Sequence, residues 1–298
     1  MEIGEKIKQL RQNKRMTQAD LAGDQITRNM LSLIENGSAL PSLPTVIYLA
    51  DRLDVPVGLL LADEKEDLAY KKLAALPKIK QLYANGEYRL CRDMCKSLSE
   101  AQLDDEIYLI LSKCYFELAK ELFNLGKLHR SVRYFDKACE CCRKTIYAEE
   151  RILSSVSIYF DYMMRLSPSL GSEAGNDSYA SSVLCADSFC RYALAIKAYD
   201  EGKPDLASFD GCVPLEELEV SFAEHLTARK EMLKGEYQSA CLRLKRLINS
   251  DIECCVIMYD IFKDLEECCR ITDDYKGAYE YSVEKIELLE SMLREDHI

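Results

Sequence analysis

Thr27, Arg28 and Asn29 open a short apolar-patterned stretch, and they are side chains of the types that recognise nucleic acid. Arginine pairs bidentately with guanine, asparagine with adenine, and the amino terminus of a helix attracts phosphate. Other chemistry finds less to work with. There is no Gly-rich phosphate loop, no GxSxG and no HExxH. His129, His225 and His297 have no evident partners, and His129 and His225 read as surface or packing residues of their helices. No enzyme and no cofactor is expected. Fourteen cysteines include Cys139, Cys141 and Cys142 and the doublets Cys254–Cys255 and Cys268–Cys269. No paired CxxC spacing makes them a metal site, so they are read as reduced thiols acting as small apolar residues.

The elements that must hold Arg28 and Asn29 follow from periodicity. A first helix is expected over about Glu2 to Asn13, with Ile3, Ile7 and Leu10 on one face. A second is capped by Thr17, includes Gln18, Leu21 and Ala22, and ends at Gly23. The third opens with Thr27 as its cap and runs to about Glu35, placing Met30, Leu31 and Ile34 toward a core; Asn36-Gly37 stops it. A fourth spans Thr45 to Leu53, and a short turn from Val57 to Leu61 closes a five-helix unit. Arg11 and Glu35 read as an internal ion pair.

The net charge of −12 argues against generalised nucleic-acid binding. Residues 1 to 64 hold seven Lys and Arg against nine Asp and Glu, a balance of −2, which leaves −10 for the remainder. Lys6, Lys8, Arg11, Lys14 and Arg15 nevertheless outnumber Glu2 and Glu5 in the first fifteen residues, as a phosphate-facing edge requires. No run of about 18 apolar residues suggests a membrane span. The amphipathic start is unlike a signal peptide, and a cytoplasmic protein is expected.

EKIKQLRQNKRMTQADLA, SLIENG and PSLPTVIYLADRLDVPVGLLL occur in the order of the phage-repressor (Cro/repressor type) helix-turn-helix domain, which residues 1 to 62 resemble. The resemblance implies that the third helix enters the major groove while the second crosses the backbone. It implies that Gln18 contacts phosphate or a base edge, that Thr27, Arg28, Asn29, Ser32 and Leu33 face the groove, and that Asn36 and Ser38 touch phosphate. The turn AGDQIT is one residue shorter than the usual form and lacks its glycine before the third helix. Contacts are therefore assigned to a helix face.

LADEKED, residues 61 to 67, is a short charged junction, and domains are placed at 1–65 and 66–298. Beyond it, NGEYRLCRDMC at Gly86, LGKLHRSVRYF at Gly126, KGEYQSACLRL at Gly235 and DDYKGAYEYSV at Asp273 share a turn residue followed by bulky and small positions. EGKPDLASF at Gly202 is a weaker copy. Such recurrence marks stacked helix pairs, most similar to tetratricopeptide repeats. The fold class is all-α: a five-helix repressor-type domain followed by an α-solenoid of tetratricopeptide-like pairs. Residues 167 to 182 read as an irregular loop, a plain insertion or a lid. A last helix from Tyr279 to Leu293 carries Val283, Ile286, Leu289 and Leu293 as a stripe that packs on the last repeat or under a second subunit.

In its order of domains the chain resembles the bacterial peptide-sensing regulators grouped as the RRNPP family. That resemblance implies a double-stranded DNA operator, a short signalling peptide and a homodimer as partners. Tyr108 and Tyr115, Tyr192 and Tyr199, and between them Tyr159 and Tyr162 are candidate peptide contacts, although aromatic stripes at this spacing also serve as packing. An acidic repeat domain favours a neutral or basic peptide. The competing expectation is a regulator whose repeats are only an interaction and dimerisation scaffold.

Overall fold

The computed structural model describes residues 2–62, 64–147, 150–171, 187–202, 218–250 and 252–294. They form fifteen α-helices joined by turns and short 3-10 segments, with no strand among the described residues. Two compact units emerge, one of residues 1–85 and 96–103, the other of residues 86–95 and 104–298.

The first unit begins with α1 (Ile3–Asn13), α2 (Gln18–Ala22), α3 (Arg28–Glu35), α4 (Leu43–Arg52) and α5 (Val57–Leu61). Each contributes the apolar residues at its helical spacing to one core: Ile7 from α1, Leu21 and Ala22 from α2, Leu31 and Ile34 from α3, Val46, Leu49 and Ala50 from α4, and Leu60 from α5. Thr17 caps α2 reciprocally, its hydroxyl accepting from the Asp20 amide at 3.1 Å while the Asp20 carboxylate accepts from the Thr17 amide at 2.8 Å. α4 starts two residues earlier than the apolar pattern predicts. Ser42 caps it and Pro44 falls in its first turn, where a missing amide hydrogen costs nothing. Gly4 lets α1 lie directly on α3, since a Cβ there would stand 2.0 Å from the Ile34 carbonyl oxygen.

α6 (Glu64–Ala84) follows within the charged junction itself, so Glu64 is already helical. The second unit contains α7 (Tyr88–Lys96), α8 (Asp105–Asn124), α9 (Leu128–Arg143), α10 (Glu150–Leu166), α11 (Ser188–Asp200), α12 (Val220–Leu233), α13 (Tyr237–Leu247), α14 (Met258–Ile271) and α15 (Tyr275–Leu293). Successive helices pack as pairs, α8 with α9, α12 with α13 and α14 with α15.

The recurring turn residue has one backbone cause. Gly86, Gly126, Gly202, Gly235 and Asp273 all have positive φ, between 61° and 80°. At Gly126 and Gly235 the chain closes as a Schellman motif, Lys127 N–H reaching Leu122 O at 2.9 Å and Glu236 N–H reaching Glu231 O at 2.9 Å. At Asp273 the following amide makes the equivalent bond, Asp274 N–H to Cys269 O at 2.9 Å. Aspartate is among the few non-glycine residues that tolerate this conformation.

Residues 172–182 of the expected loop lie outside the described residues. Its start forms a 3-10 turn from Pro168 to Leu170, with Leu170 buried. The last helix begins at Tyr275, four residues before the predicted start, because Asp274 accepts from the Gly277 amide at 3.0 Å. Val283, Leu289 and Leu293 are half-buried and Ile286 is exposed, whereas Gly277 and Met292 are buried.

Gly235 has open space where a Cβ would sit, so its requirement is the backbone angle alone. Gly235→Ala is expected to destabilise the chain by about 1 kcal/mol in chemical denaturation, while Asp273→Gly leaves it unchanged or more stable. Equal losses in both variants would mean that the turn conformation is not what these positions select.

Candidate functional site

Glu35, at the last turn of α3, is the hub of the amino-terminal unit. Arg11 grips its carboxylate with two bonds, Nε to Oε1 at 2.7 Å and Nη2 to Oε2 at 3.0 Å, and uses Nη1 to reach the Met16 carbonyl at 2.8 Å. Gln18 adds a third bond to the same carboxylate, Nε2 to Oε2 at 2.9 Å. α1, the loop after it, α2 and α3 are thus tied at one buried group. Burial raises the Glu35 pKa, but the hydrogen bonds from Arg11 and Gln18 outweigh it and hold the carboxyl below its ordinary value.

With Leu31, Ile34 and Glu35 turned inward, the opposite side of α3 is free. Arg28, Asn29, Leu33, Asn36 and Ser38 are exposed, Ser32 is half-buried, and Thr27 is exposed as the cap, its hydroxyl accepting from the Met30 amide at 3.1 Å. Gln18 is half-buried and oriented by Glu35, which leaves one amide hydrogen and the carbonyl oxygen unspent. Met30 is a correction: expected in the core, it is 39 % exposed, on the rim of the outward face. The helix ends in a Schellman motif, with Ser38 N–H on Leu33 O at 2.8 Å and Gly37 N–H on Ile34 O at 3.0 Å.

The expected basic edge is smaller than the sequence suggests. Lys6 is buried, its ammonium donating to the carbonyls of Leu59 at 3.2 Å and Ala62 at 2.7 Å, at the end of α5. Arg11 belongs to Glu35, and Lys14 lies 3.7 Å from Asp54. Lys8 and Arg15 remain exposed. Two open clefts flank α3. One of about 480 Å³ is lined by Glu2, Glu5, Lys8 and Asn36 among others, and one of about 400 Å³ runs from Ala19 to Arg28.

In the second unit the candidate tyrosines divide. Tyr115, Tyr159, Tyr162 and Tyr192 are buried and do not present a surface to a ligand. Their spacing reflects an aromatic core that runs across α8 to α12: Phe123 meets Phe189 at 4.6 Å between centroids, Tyr159 stacks on Phe189 at 4.7 Å, and Tyr192 stacks on Phe222 at 4.8 Å. Tyr108 and Tyr199 are half-buried, and the Lys144 ammonium sits 5.6 Å from the centre of the Tyr108 ring.

The hydroxyls of those buried tyrosines lead to residues that periodicity did not single out. Tyr162 donates to Asp260 at 2.7 Å, and Arg165, one turn on, donates to the same oxygen at 2.6 Å and to Asp200 at 2.7 Å. Asp200 also takes Arg229 at 3.1 Å and Lys263 at 3.4 Å. Arg229 reaches on to Asp264, which His225 Nε2 joins at 2.9 Å. His225 Nδ1 closes the chain on the Tyr192 hydroxyl at 2.7 Å. His225 was expected without partners; it is fully buried with two. The carboxylates of Asp200, Asp260 and Asp264 are balanced by Arg165, Arg229 and Lys263, as buried charges require. Burial opposes the charge on Asp200, yet Arg229, Lys263 and Arg165 outweigh it and lower its pKa. Asp264 Oδ1 and Arg229 Nη2 are buried without a partner.

Asp260 and Asp264 are one turn apart on α14, as are His225 and Arg229 on α12. Polar residues at core-facing spacing are the signal such a run leaves in the sequence. The twelve described cysteines are unbridged, and burial pushes the thiols of Cys254 and Cys268 up to about 12, which suits apolar filler. Among the described residues no cluster of His, Cys, Asp and Glu is placed to hold a metal, and no helix is long and apolar enough to cross a membrane.

A lowered Glu35 pKa means that its contribution is complete above the unfolded value, about 4.3, and is lost as pH falls through the folded one. Glu35→Gln is expected to cost ~2 kcal/mol at pH 7 and much less at pH 3, read by thermal unfolding. A wild-type-minus-variant difference that stays constant between those pH values would show that the charged pair does not hold α3.

The helix-turn-helix family matches residues 7–60. Comparison with the curated proteins returned no match. Among solved structures, the chain is similar to Bacillus thuringiensis PlcR in complex with the peptide PapR7 and DNA, at 16 % identity over 99 % of each chain and a TM-score of 0.24. It is similar to the apo form of the competence regulator ComR from Streptococcus vestibularis, at 16 % identity over 99 % of this chain and 93 % of that one, TM-score 0.23. A third is the Streptococcus dysgalactiae SHP pheromone receptor Rgg2, at 12 % identity over 96 % and 99 %, TM-score 0.20. At such identities and TM-scores the likeness says nothing of ligand or partner. The family match and the packing of α1 to α5 together identify residues 7–60 as a helix-turn-helix domain.

Proposed function

We propose that this chain is a sequence-specific DNA-binding transcriptional regulator working in the cytoplasm, without catalytic activity. Residues 1–65 read an operator, and residues 66–298 sense a short peptide and pair two copies of the chain. The observation that carries the reading is the outward face of α3, where Arg28 and Asn29 stand exposed on a helix whose inner side is fixed by Arg11, Gln18 and Glu35. Gln18, Thr27, Arg28, Asn29, Ser32, Leu33, Asn36 and Ser38 supply the DNA contacts.

Peptide sensing is supported by helix pairs of the kind that build extended recognition surfaces, and by a polar ladder that is incompletely satisfied. Arg165, Asp200 and Lys263 are partly open at its edge, so an arriving backbone or terminus can exchange bonds with it. Tyr108 and Tyr199 remain candidate contacts, while the four buried tyrosines act through the core.

Operator selection from random duplexes tests the first half. Arg28→Ala and Asn29→Ala are each expected to weaken binding about 10- to 100-fold with unchanged helicity. Wild-type affinity in both overturns the assignment of α3. In the same assay a short-peptide pool is expected to shift operator affinity and thermal stability. A chain that binds its operator and responds to no peptide is a scaffold regulator, and a monomer by light scattering on and off DNA removes the pairing.

A further inference from the structure

Ten of the twelve described cysteines are buried, while Cys241 and Cys255 are half-buried and reach the surface. Their surroundings differ. Cys255 lies under the turn at Gly126, beside Met292, and burial is what raises its pKa. Cys241, on α13, has neighbours of another kind. The Cys269 thiol of α14 is in hydrogen-bond contact with its sulfur, and Lys245, one turn further along α13, faces both sulfurs. The Lys245 ammonium sits over the Tyr281 ring of α15, 6.0 Å from its centre. Burial opposes that charge, yet Cys241, Tyr281, Cys269 and Asp274 outweigh it and raise the Lys245 pKa. Burial and then Cys241 push the Cys269 thiol up to about 11 against the pull of Lys245, so Cys269 keeps its proton at neutral pH. Cys241 is the member that solvent reaches, with a cation and a second thiol beside it, the setting of a nucleophilic sulfur. Contact between thiols is not enough by itself. Cys91 meets Cys95 and Cys114 in the same way, but all three are fully buried, out of reach of a reagent in solvent.

We infer that Cys241 and Cys269 are a peroxide-sensitive pair that closes a disulfide between α13 and α14. The pair works whether or not the chain reads DNA. The Cys241 thiolate attacks one oxygen of hydrogen peroxide; the O–O bond breaks, sulfur gives up two electrons as the sulfenic acid forms, and the departing hydroxide takes the proton the thiol released. The Cys269 sulfur then attacks that of Cys241, the S–S bond forms, and the hydroxyl leaves as water with the Cys269 proton. Two thiols and one peroxide become one disulfide and two waters. For this the sulfurs close from hydrogen-bond contact to about 2.05 Å. The bond fastens α13 to α14, the helix that carries Asp260 and Asp264, and a dithiol reductant opens it again.

The full chain, reduced and freed of reductant, is exposed to equimolar hydrogen peroxide, capped with N-ethylmaleimide and digested with trypsin without reduction. Peptides 235–243 and 264–270 carry Cys241 and Cys269. They are expected to appear joined and to separate on reduction, with fragmentation placing the bond on Cys269 and not on Cys268. In Cys269→Ser, Cys241 is expected to stop at the sulfenic acid and be captured by dimedone. Lys245→Gln is expected to slow the loss of the Cys241 thiol about threefold. One pKa unit changes the thiolate fraction about tenfold, and the accompanying change in nucleophilicity returns about half of that on a logarithmic scale. The wild-type map needs no variant, so a variant that misfolds hides nothing. Oxidation that falls on Cys255 as readily as on Cys241, a bond to Cys268, or a rate unchanged in folded Lys245→Gln overturns the inference.

Discussion

Glu35 is the constraint on which the amino-terminal unit depends. A carboxylate buried beside the core is tolerated because Arg11 grips it at both oxygens and Gln18 adds a third bond. Removing one partner of such a pair costs about 2 kcal/mol, since the other charge is left without its hydrogen bonds. That asymmetry turns one side chain into a clamp: α3 cannot roll about its axis without breaking bonds to α1 and α2 together. Gly4 lets α1 approach closely enough for the clamp to close. Arg28, Asn29 and Leu33 gain their position from the inward side of the same helix.

The second unit uses a comparable device across four helices. Tyr162, Asp260, Arg165, Asp200, Arg229, Asp264, His225 and Tyr192 form one continuous run of bonds. The His225 ring spans the run, with Nε2 on Asp264 and Nδ1 on the Tyr192 hydroxyl. Burial first, and the nearby Asp260 carboxylate second, raise the Tyr192 pKa well above its ordinary value and keep the hydroxyl a donor. A ladder with an orphan donor and an orphan acceptor at its centre holds bonds that can be redistributed. The run joins helices α10, α11, α12 and α14.

Local signals were legible in the sequence, and tertiary ones much less so. The turns at Gly86, Gly126, Gly235 and Asp273 could be read because a left-handed residue leaves a local mark, even where it is an aspartate. Thr17 and Thr27 announced α2 and α3 as amino-terminal caps and Gly23 ended α2 through its positive φ, all local marks, and Arg11 with Glu35 could be paired because both sit at the core edge of their helices. Met30 and Lys6 went the other way. Periodicity gives a face of some 100° or more, too coarse to decide which rim residue turns in, and a buried lysine is visible only once the α5 carbonyls it satisfies are placed. Tyr159, Tyr162 and Tyr192 showed their spacing but not their direction, and His225 showed nothing, because its partners come from α11 and α14, 33 and 39 residues away.

In the proposed function, α3 is the surface that enters the major groove of an operator. Methylation protection of guanine N7 by the full chain on its selected duplex tests it directly, since N7 is reached only from that groove. With α3 in that groove, two protected clusters are expected about 10 base pairs apart, one for each copy of the domain, with the adenine N3 positions of the facing minor groove unaffected. Protection confined to minor-groove positions, with every guanine N7 still reactive, would contradict it.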